Sequence, residues 1–440
     1  SKAKVTFVIL LFITSLLSFV AQTELTAYVY SLGYNEPFIL LYVTHGSWWI
    51  IWPLHVIVIG LFKTFKKYKR YKYYIGLSQI VDEGYQLNEY QARRNANATN
   101  NMKVWKGFFK TFKSSAVNQH RNIYHTSEIV YELNNVEYFI DSNNIPRNFK
   151  SFITSSPMKY MFRSTFLIML LLTMAGSSWY VALTLSTGSD VTAIYNCSAF
   201  AAYAFAVPFL NERFSWMKFS SVVVAIGGVF IVAYGGGKNS SSSSTNNTVD
   251  TASSTTTSTT QQANQYPYRI LGNLIILAGA VLYGLYEVVY KKFLCPPADS
   301  VSSRRQASFS TFSMSLIGFH TAAFVWIPIF LVHIFNLHQF TFPSSNHIRC
   351  LIFGSVACNV IFSVSFLALI SLTSPVLSSV ASLVTIFFVG ITEWLIFGVK
   401  MTKWQVVGNL VVIIGFAVLT YASWSEISQE DTEDTSNDTT

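Results

Sequence analysis

Charge is what this chain has least of. Only 12% of its 440 residues are Asp, Glu, Lys or Arg, while 51% are hydrophobic. An average soluble domain carries about 25% charge. The shortage leaves too little polar sequence for a soluble catalytic domain. Cysteine is scarce too: Cys197, Cys295, Cys350 and Cys358 are the four. They fall at no metal-ligand spacing and form no disulfide framework. No histidine cluster of a di-metal lipid enzyme is present, and Thr187-Gly-Ser-Asp190 is not the Gly-x-Gly-Asp of intramembrane aspartyl proteases. Gly235-Gly-Gly-Lys238-Asn239 lacks the first glycine and the following Ser or Thr of a phosphate loop, which argues against ATP-driven work. The expectation is a non-enzyme with no cofactor and no metal.

What the chain has instead is ten long apolar stretches, roughly 5–30, 37–63, 159–186, 190–210, 215–235, 269–293, 308–337, 347–371, 375–397 and 402–424. A helix rises ~1.5 Å per residue, so ~20 apolar residues cross a hydrocarbon core of ~30 Å. The first run is too long for a signal-peptide core and no clean cleavage site follows it, so it reads as a retained helix. The expected fold is an all-α membrane protein with ten transmembrane helices.

The net charge of +9 does not point to nucleic acid. If the spans alternate, 25 of the 30 Lys and Arg fall on one side, which the positive-inside rule makes cytoplasmic, with both termini there. Lys63, Lys66, Lys67, Lys69 and Arg70 hug the end of span 2, where anionic lipid is the expected partner. The chain is expected to be an integral multi-pass protein, monomer or homodimer.

Two inserts punctuate the spans. Residues 64–158 form a long basic loop, rich in Lys, Asn and Tyr, with mixed apolar-polar patterning over Ile80–Leu87 and Ile129–Ile140; it is expected to be partly helical or partly disordered. Residues 236–268 open with a nearly pure Ser, Thr, Asn and Gln tract, a linker that cannot bury a core. By the charge argument it is lumenal, and its sequons make Asn239 and Asn246 the expected glycosylation sites. Residues 425–440 form an acidic cytoplasmic tail. The linker splits the spans into two sets of five: helices 1–2 (1–63) and 3–5 (159–235), then a second repeat over 269–424. An odd number per half inverts the second half, as in many secondary transporters.

Landmarks recur in the same order in both halves. His45 precedes Pro53 by eight residues, and His320 precedes Pro328 by eight. Glu24 and Glu287 lie late in spans 1 and 6. Trp216 precedes Gly227 in span 5, and Trp404 precedes Gly415 in span 10. Pro208-Phe-Leu-Asn-Glu-Arg-Phe-Ser-Trp216 closes one half and Glu393-Trp-Leu-Ile-Phe-Gly-Val-Lys-Met-Thr-Lys-Trp404 the other. With these hairpins, the chain resembles the drug/metabolite transporter superfamily (EamA-like), a 5+5 inverted repeat. Leu282-Tyr-Gly-Leu-Tyr-Glu287-Val-Val-Tyr-Lys-Lys292 and Leu372-Thr-Ser-Pro-Val376 look most like solute carrier family 35, subfamily F, in a fungal-type member. The resemblance implies alternating access, thiamine-like cargo and an endomembrane home, vacuole or Golgi.

A charge at mid-bilayer costs ~2.5–3.5 kcal/mol on insertion scales, so Glu24, Glu287 and Glu393 are candidate site residues. Glu287 is also four residues from Lys291, the spacing of a local ion pair. His45 and His320 titrate near neutrality, although a buried structural histidine is the more frequent case. Trp49, Tyr180 and Tyr283 offer rings and Asn196 an amide; aromatic faces beside carboxylates suit an organic cation. The functional expectation is a secondary active transporter of a small organic metabolite, thiamine-like or another organic cation, coupled to protons through the buried acids. A nucleotide-sugar carrier is one alternative, although the Phe-Tyr-Asn-Asn and Gly-Ala-Leu-Asn-Lys motifs common among such carriers are absent. A non-transporting receptor or scaffold that uses the basic loop is the other.

Overall fold

A computed structural model describes residues 2–82, 90–135, 149–185, 191, 194–211, 214–234, 268–297 and 300–373, with scattered positions between 385 and 422. Every element among these residues is helical: α1 (Lys2–Ser31), α2 (Pro37–Gly46), α3 (Ile51–Asp82), α4 (Tyr90–Asn134), α5 (Phe149–Thr154), α6 (Ser156–Leu185), α7 (Ser198–Leu210), α8 (Trp216–Tyr234), α9 (Arg269–Leu294), α10 (Ser303–His320), α11 (Trp326–Ile334) and α12 (Asn346–Leu372). A further apolar helix, α13, runs over Val406–Leu419.

Six described stretches are long and apolar enough to cross a membrane: Val5–Ser31, Pro37–Lys69, Ser156–Leu185, Ile270–Leu294, Ser303–Ile334 and Asn346–Leu372. They coincide with expected spans 1, 2, 3, 6, 7 and 8. Expected spans 4, 5 and 10 are represented by the shorter apolar helices α7, α8 and α13. Most of span 9 lies outside the described residues, as do Glu393, Asn239 and Asn246. The fold is therefore a multi-helix membrane architecture with six long spans described, rather than a demonstrated ten.

The chain forms two compact units, residues 1–48 with 161–440, and residues 49–160. In the first, α1 lies along α12. Thr26 Oγ1 and Ser355 Oγ share a hydrogen bond of 2.9 Å, and the Phe19 and Phe362 rings sit 5.0 Å apart. Lipid supplies no hydrophobic drive between helices, so hydroxyl pairs and close packing hold them. α8 and α13 cross at Gly228, where a Cβ would come within 2.7 Å of the Gly408 carbonyl oxygen. Any larger residue would force these helices apart. Gly228 thus makes the contact, while its neighbour Gly227 faces open space.

Both His–Pro landmarks fall at helix irregularities. After α2 a 3₁₀ turn, Ser47–Ile50, follows His45 and precedes Pro53. After α10 a π turn, Thr321–Val325, follows His320 and precedes Pro328. Proline has no N–H and its ring crowds the preceding turn, so the hydrogen-bond ladder shifts just ahead of it. Two of these irregular places touch: the Tyr42 hydroxyl donates to Ala322 O at 3.3 Å, and Gly46 lies beside Ala322.

Each end of α12 is tied down. At one end, the turn between α1 and α2 places buried Glu36 against the connection that precedes α12. Glu36 Oε1 accepts from Thr341 N (3.0 Å) and Thr341 Oγ1 (2.8 Å), and Oε2 meets His338 Nε2 at 3.1 Å. The Tyr34 hydroxyl donates to Thr341 O at 3.1 Å. Burial, reinforced by the Glu36 carboxylate, pushes that hydroxyl's pKa up to about 12. At the other end, Lys291 Nζ donates to Ile370 O (3.2 Å), Ser371 O (2.7 Å) and Thr373 O (3.0 Å). Gln306 Nε2 adds a 2.6 Å bond to Ser371 O. A helix ends with unsatisfied carbonyls and partial negative charge, so an ammonium there is well placed. Lys291, considered above for a pair with Glu287, thus also caps a neighbouring helix.

The second unit is built on α3 and α4, in the region expected to be a loop. The two helices run antiparallel. Phe65 meets Phe108 (5.7 Å), Phe112 sits against Gly60, Gln119 Nε2 reaches Val56 O (3.4 Å), and Trp52 meets His120 (5.8 Å). Ile123, Tyr124, Val130 and Met158 are buried within this unit. The sequence boundary at residue 63 falls inside one continuous helix, because α3 keeps its helical hydrogen bonds through the change from apolar to basic side chains.

Candidate functional site

A cavity of about 80 Å³ lies within the first unit. A water needs ~10–15 Å³ on this measure, so the space suits about half a dozen waters or one compact organic group. Its walls come from α1, α2, α6, α9 and α12 and the segment before α7. Helical spacing explains which residues reach it. Phe19 and Gln22 are three apart on α1; Asn359, Phe362, Ser363 and Phe366 follow i, i+3, i+4, i+7 on α12; Gly176, Trp179 and Tyr180 do the same on α6.

The lining is aromatic. Tyr195 and Tyr283 rings lie 5.1 Å apart, Tyr283 and Tyr286 5.3 Å, and Trp179 meets Tyr180 edge-on at 4.9 Å. The His45 ring lies 4.4 Å from Trp48. Gly176 makes room for it: a Cβ there would come within 3.0 Å of His45 Cε1 and 2.8 Å of Leu41 Cδ1. Polar groups are few and directional. Trp48 Nε1 donates to Asn359 Oδ1 at 2.8 Å, and Thr44 Oγ1 and the Tyr180 hydroxyl are 3.3 Å apart. Gln22 Oε1 is buried and has no hydrogen-bond partner among the described residues. It is an acceptor waiting for a donor, because a buried amide oxygen normally has one.

Glu287 is fully buried on α9, one turn beyond Tyr283. Its carboxylate lies within electrostatic reach of the Tyr195, Tyr283 and Tyr286 hydroxyls. An acid thus adjoins the aromatic wall, where a charge acts through low dielectric.

Of the residues expected at a site, His45, Tyr180 and Tyr283 line this cavity and Glu287 adjoins it. Asn196 is buried next to Tyr195, and its carbonyl accepts from Ala199 N at 3.2 Å. The others are elsewhere. Trp49 belongs to the second unit and is half exposed; its neighbour Trp48 lines the cavity. Gln22, two residues before Glu24, provides the polar group of α1, and Glu24 is outside the lining. His320 sits among Phe162, Phe166 and Phe324, with Nε2 3.1 Å from Phe162 O. Gln22 and Asn359 line the cavity and are not among the residues expected at a site, whereas Trp48 and Tyr286 are rings that the spans already offer. The available signal was an amide inside an apolar span, as costly there as it is informative.

Relatives of known name are distant. A protein from Schizosaccharomyces pombe described as an uncharacterized transporter is 25% identical over 242 residues, 53% of this chain and 60% of its own length. A thiamine-repressible mitochondrial transport protein from Saccharomyces cerevisiae is 22% identical over 64% of this chain and 68% of its own. An uncharacterized vacuolar membrane protein of the same yeast is 26% identical over 27% of this chain and 28% of its own. The first and last of these matches thus span less than two thirds of the relatives. Helices, cavity and relatives together describe a transporter-like membrane protein. The profile of the ceramide synthase regulator family matches residues 6–423, nearly end to end, and the chain belongs to that family.

Proposed function

We propose that this protein is a secondary active transporter, of the drug/metabolite type, that binds a compact organic cation in the aromatic cavity and moves it by alternating access. The observation that carries this reading is the cavity itself. Its rings offer cation–π faces, Gln22 and Asn359 offer amide contacts, and Glu287 offers charge. The paired irregular turns at 47–50 and 321–325 provide places where spans can flex, and Glu287 supplies a proton site for coupling. One relative is named for the vacuolar membrane and another for the mitochondrion; a vacuolar or other endomembrane home is the one proposed here. One relative's name mentions repression by thiamine but no cargo, so thiamine is the first candidate to try rather than a match.

The family match favours a second reading: a non-transporting regulator of a ceramide-handling enzyme, with the 49–160 unit as its effector arm. One pair of experiments separates the two. Reconstituted vesicles would be tested for uptake of labelled thiamine and other organic cations under a pH gradient, with Tyr283→Ala and Glu287→Gln as variants. Uptake lost in both variants supports transport. In parallel, sphingolipid profiles of cells lacking the protein would be compared after rescue. Full rescue by both cavity variants, with no rescue by a 64–155 deletion, would replace transport by regulation.

A further inference from the structure

The face of α3 between residues 54 and 69 has no use in the cavity. Leu54, Ile57, Val58, Phe62 and Phe65 recur at helical spacing and are all exposed. Lys63, Lys66, Lys67 and Lys69 follow directly and are exposed as well. The antiparallel partner brings more charge to the same level. Phe108 meets Phe65 and Phe112 meets Gly60, so exposed Lys110 and Lys113 lie alongside Lys63. Among the described residues no acid forms an ion pair with any of these six lysines; the pair described in this unit, His125–Glu128, is further along α4.

An apolar stripe running into a dense block of cations matches the edge of a bilayer. The 26 residues from Pro37 to Phe62 cover ~39 Å as helix, more than a ~30 Å core, so Lys63 lies where the chain reaches the headgroups. The exposed side chains at 54, 57, 58 and 62 face acyl chains, and the lysines that follow them reach the headgroups. Six lysines with no acid paired to them among the described residues, four of them within about 9 Å along α3, attract phosphate-bearing lipids, an attraction that salt weakens.

We propose that the α3–α4 hairpin is a binding site for anionic phospholipids of the bilayer that the protein spans, with Lys63, Lys66, Lys67, Lys69, Lys110 and Lys113 as the headgroup contacts. It is independent of what the cavity carries.

The test uses purified full-length protein in detergent micelles doped with phosphatidylserine or phosphatidylcholine, read by native mass spectrometry. Wild type should retain phosphatidylserine roughly tenfold or more over phosphatidylcholine. Raising salt from about 0.1 to 0.5 M should erode that preference. Lys63→Gln, Lys66→Gln, Lys67→Gln and Lys69→Gln combined should bring the two lipids to parity. If that variant elutes as aggregate, Lys110→Gln with Lys113→Gln should still cut the preference severalfold. An undiminished preference in a monodisperse variant overturns the proposal. So does equal retention of both lipids by wild type; a co-purifying protein released by the lysine substitutions would then name a protein as the partner.

Discussion

Replacing Glu36 by Ala should unlock the end of the bundle at which α1 stops. The carboxylate takes two bonds from Thr341 and one contact from His338, across more than 300 residues of sequence. Hydrogen bonds to charged groups contribute ~1.5–3 kcal/mol each when shielded. Here the donors are exposed, His338 at 54%, so water recovers much of the loss. The His338 contact alone is then within the ~0–1 kcal/mol of a surface pair. Summed with that discount, the clasp is worth ~2–3 kcal/mol, and local opening at Thr341 should accelerate ~30–150-fold at ~1.4 kcal/mol per decade. Hydrogen exchange of the 333–342 amides reads this directly. Glu36→Gln keeps an oxygen for Thr341 and should cost about half as much. His338→Ala should cost ~1 kcal/mol or less. Exchange at Thr341 that is equally fast in wild type and Glu36→Ala would refute the clasp. Equal effects of Glu36→Ala and His338→Ala would refute the division of its energy.

Lys291→Met should fray the last turn of α12 and lower thermal stability by ~2 kcal/mol, because four donor bonds reach three terminal carbonyls there and three of them are lost; hydrogen exchange confined to 368–373 is the check. Trp48→Phe removes the donor to Asn359 and leaves a buried acceptor, a loss of ~1–3 kcal/mol that Trp48→Phe with Asn359→Leu should partly restore. Gly176→Val should press on Leu41 and His45, cost ~1–3 kcal/mol and weaken ligand binding measured by thermal shift. The Tyr34 hydroxyl has its pKa raised to about 12, above the ordinary 10, so the stability it contributes is complete below pH 10 and disappears as pH rises through 12. The difference in ultraviolet titration between wild type and Tyr34→Phe should therefore have its midpoint near 12; a midpoint at 10 would place that hydroxyl in water.

Much of this protein is legible without coordinates. Low charge and long apolar runs require helices that satisfy their own backbone groups in lipid, and all six long helices lie where those runs are. The His–Pro spacings fall at the irregular turns, since Pro53 and Pro328 each stand early in the helix that follows and have no N–H to give the turn before; Pro208, by contrast, lies inside α7. Tyr180, Tyr283 and His45, candidates by residue type and place in their spans, line the cavity. The helical part of the 64–158 insert is hard to delimit from sequence because periodicity there is mixed: Ser115 and Gln119 are buried beside α3 while Phe109 and Val117 are exposed. Such a helix is stabilised by a partner that no local pattern names.

Sequence alone determined that the chain lives in a membrane and that intramembrane acids and rings are its chemical resources. Tertiary structure decided which of them meet. Gln22 rather than Glu24, and Trp48 rather than Trp49, line the cavity, because a helix turns ~100° per residue and only packing sets its rotation. Lys291 reaches the end of α12, and Glu36 finds Thr341, because folding joins positions that the chain keeps dozens to hundreds of residues apart.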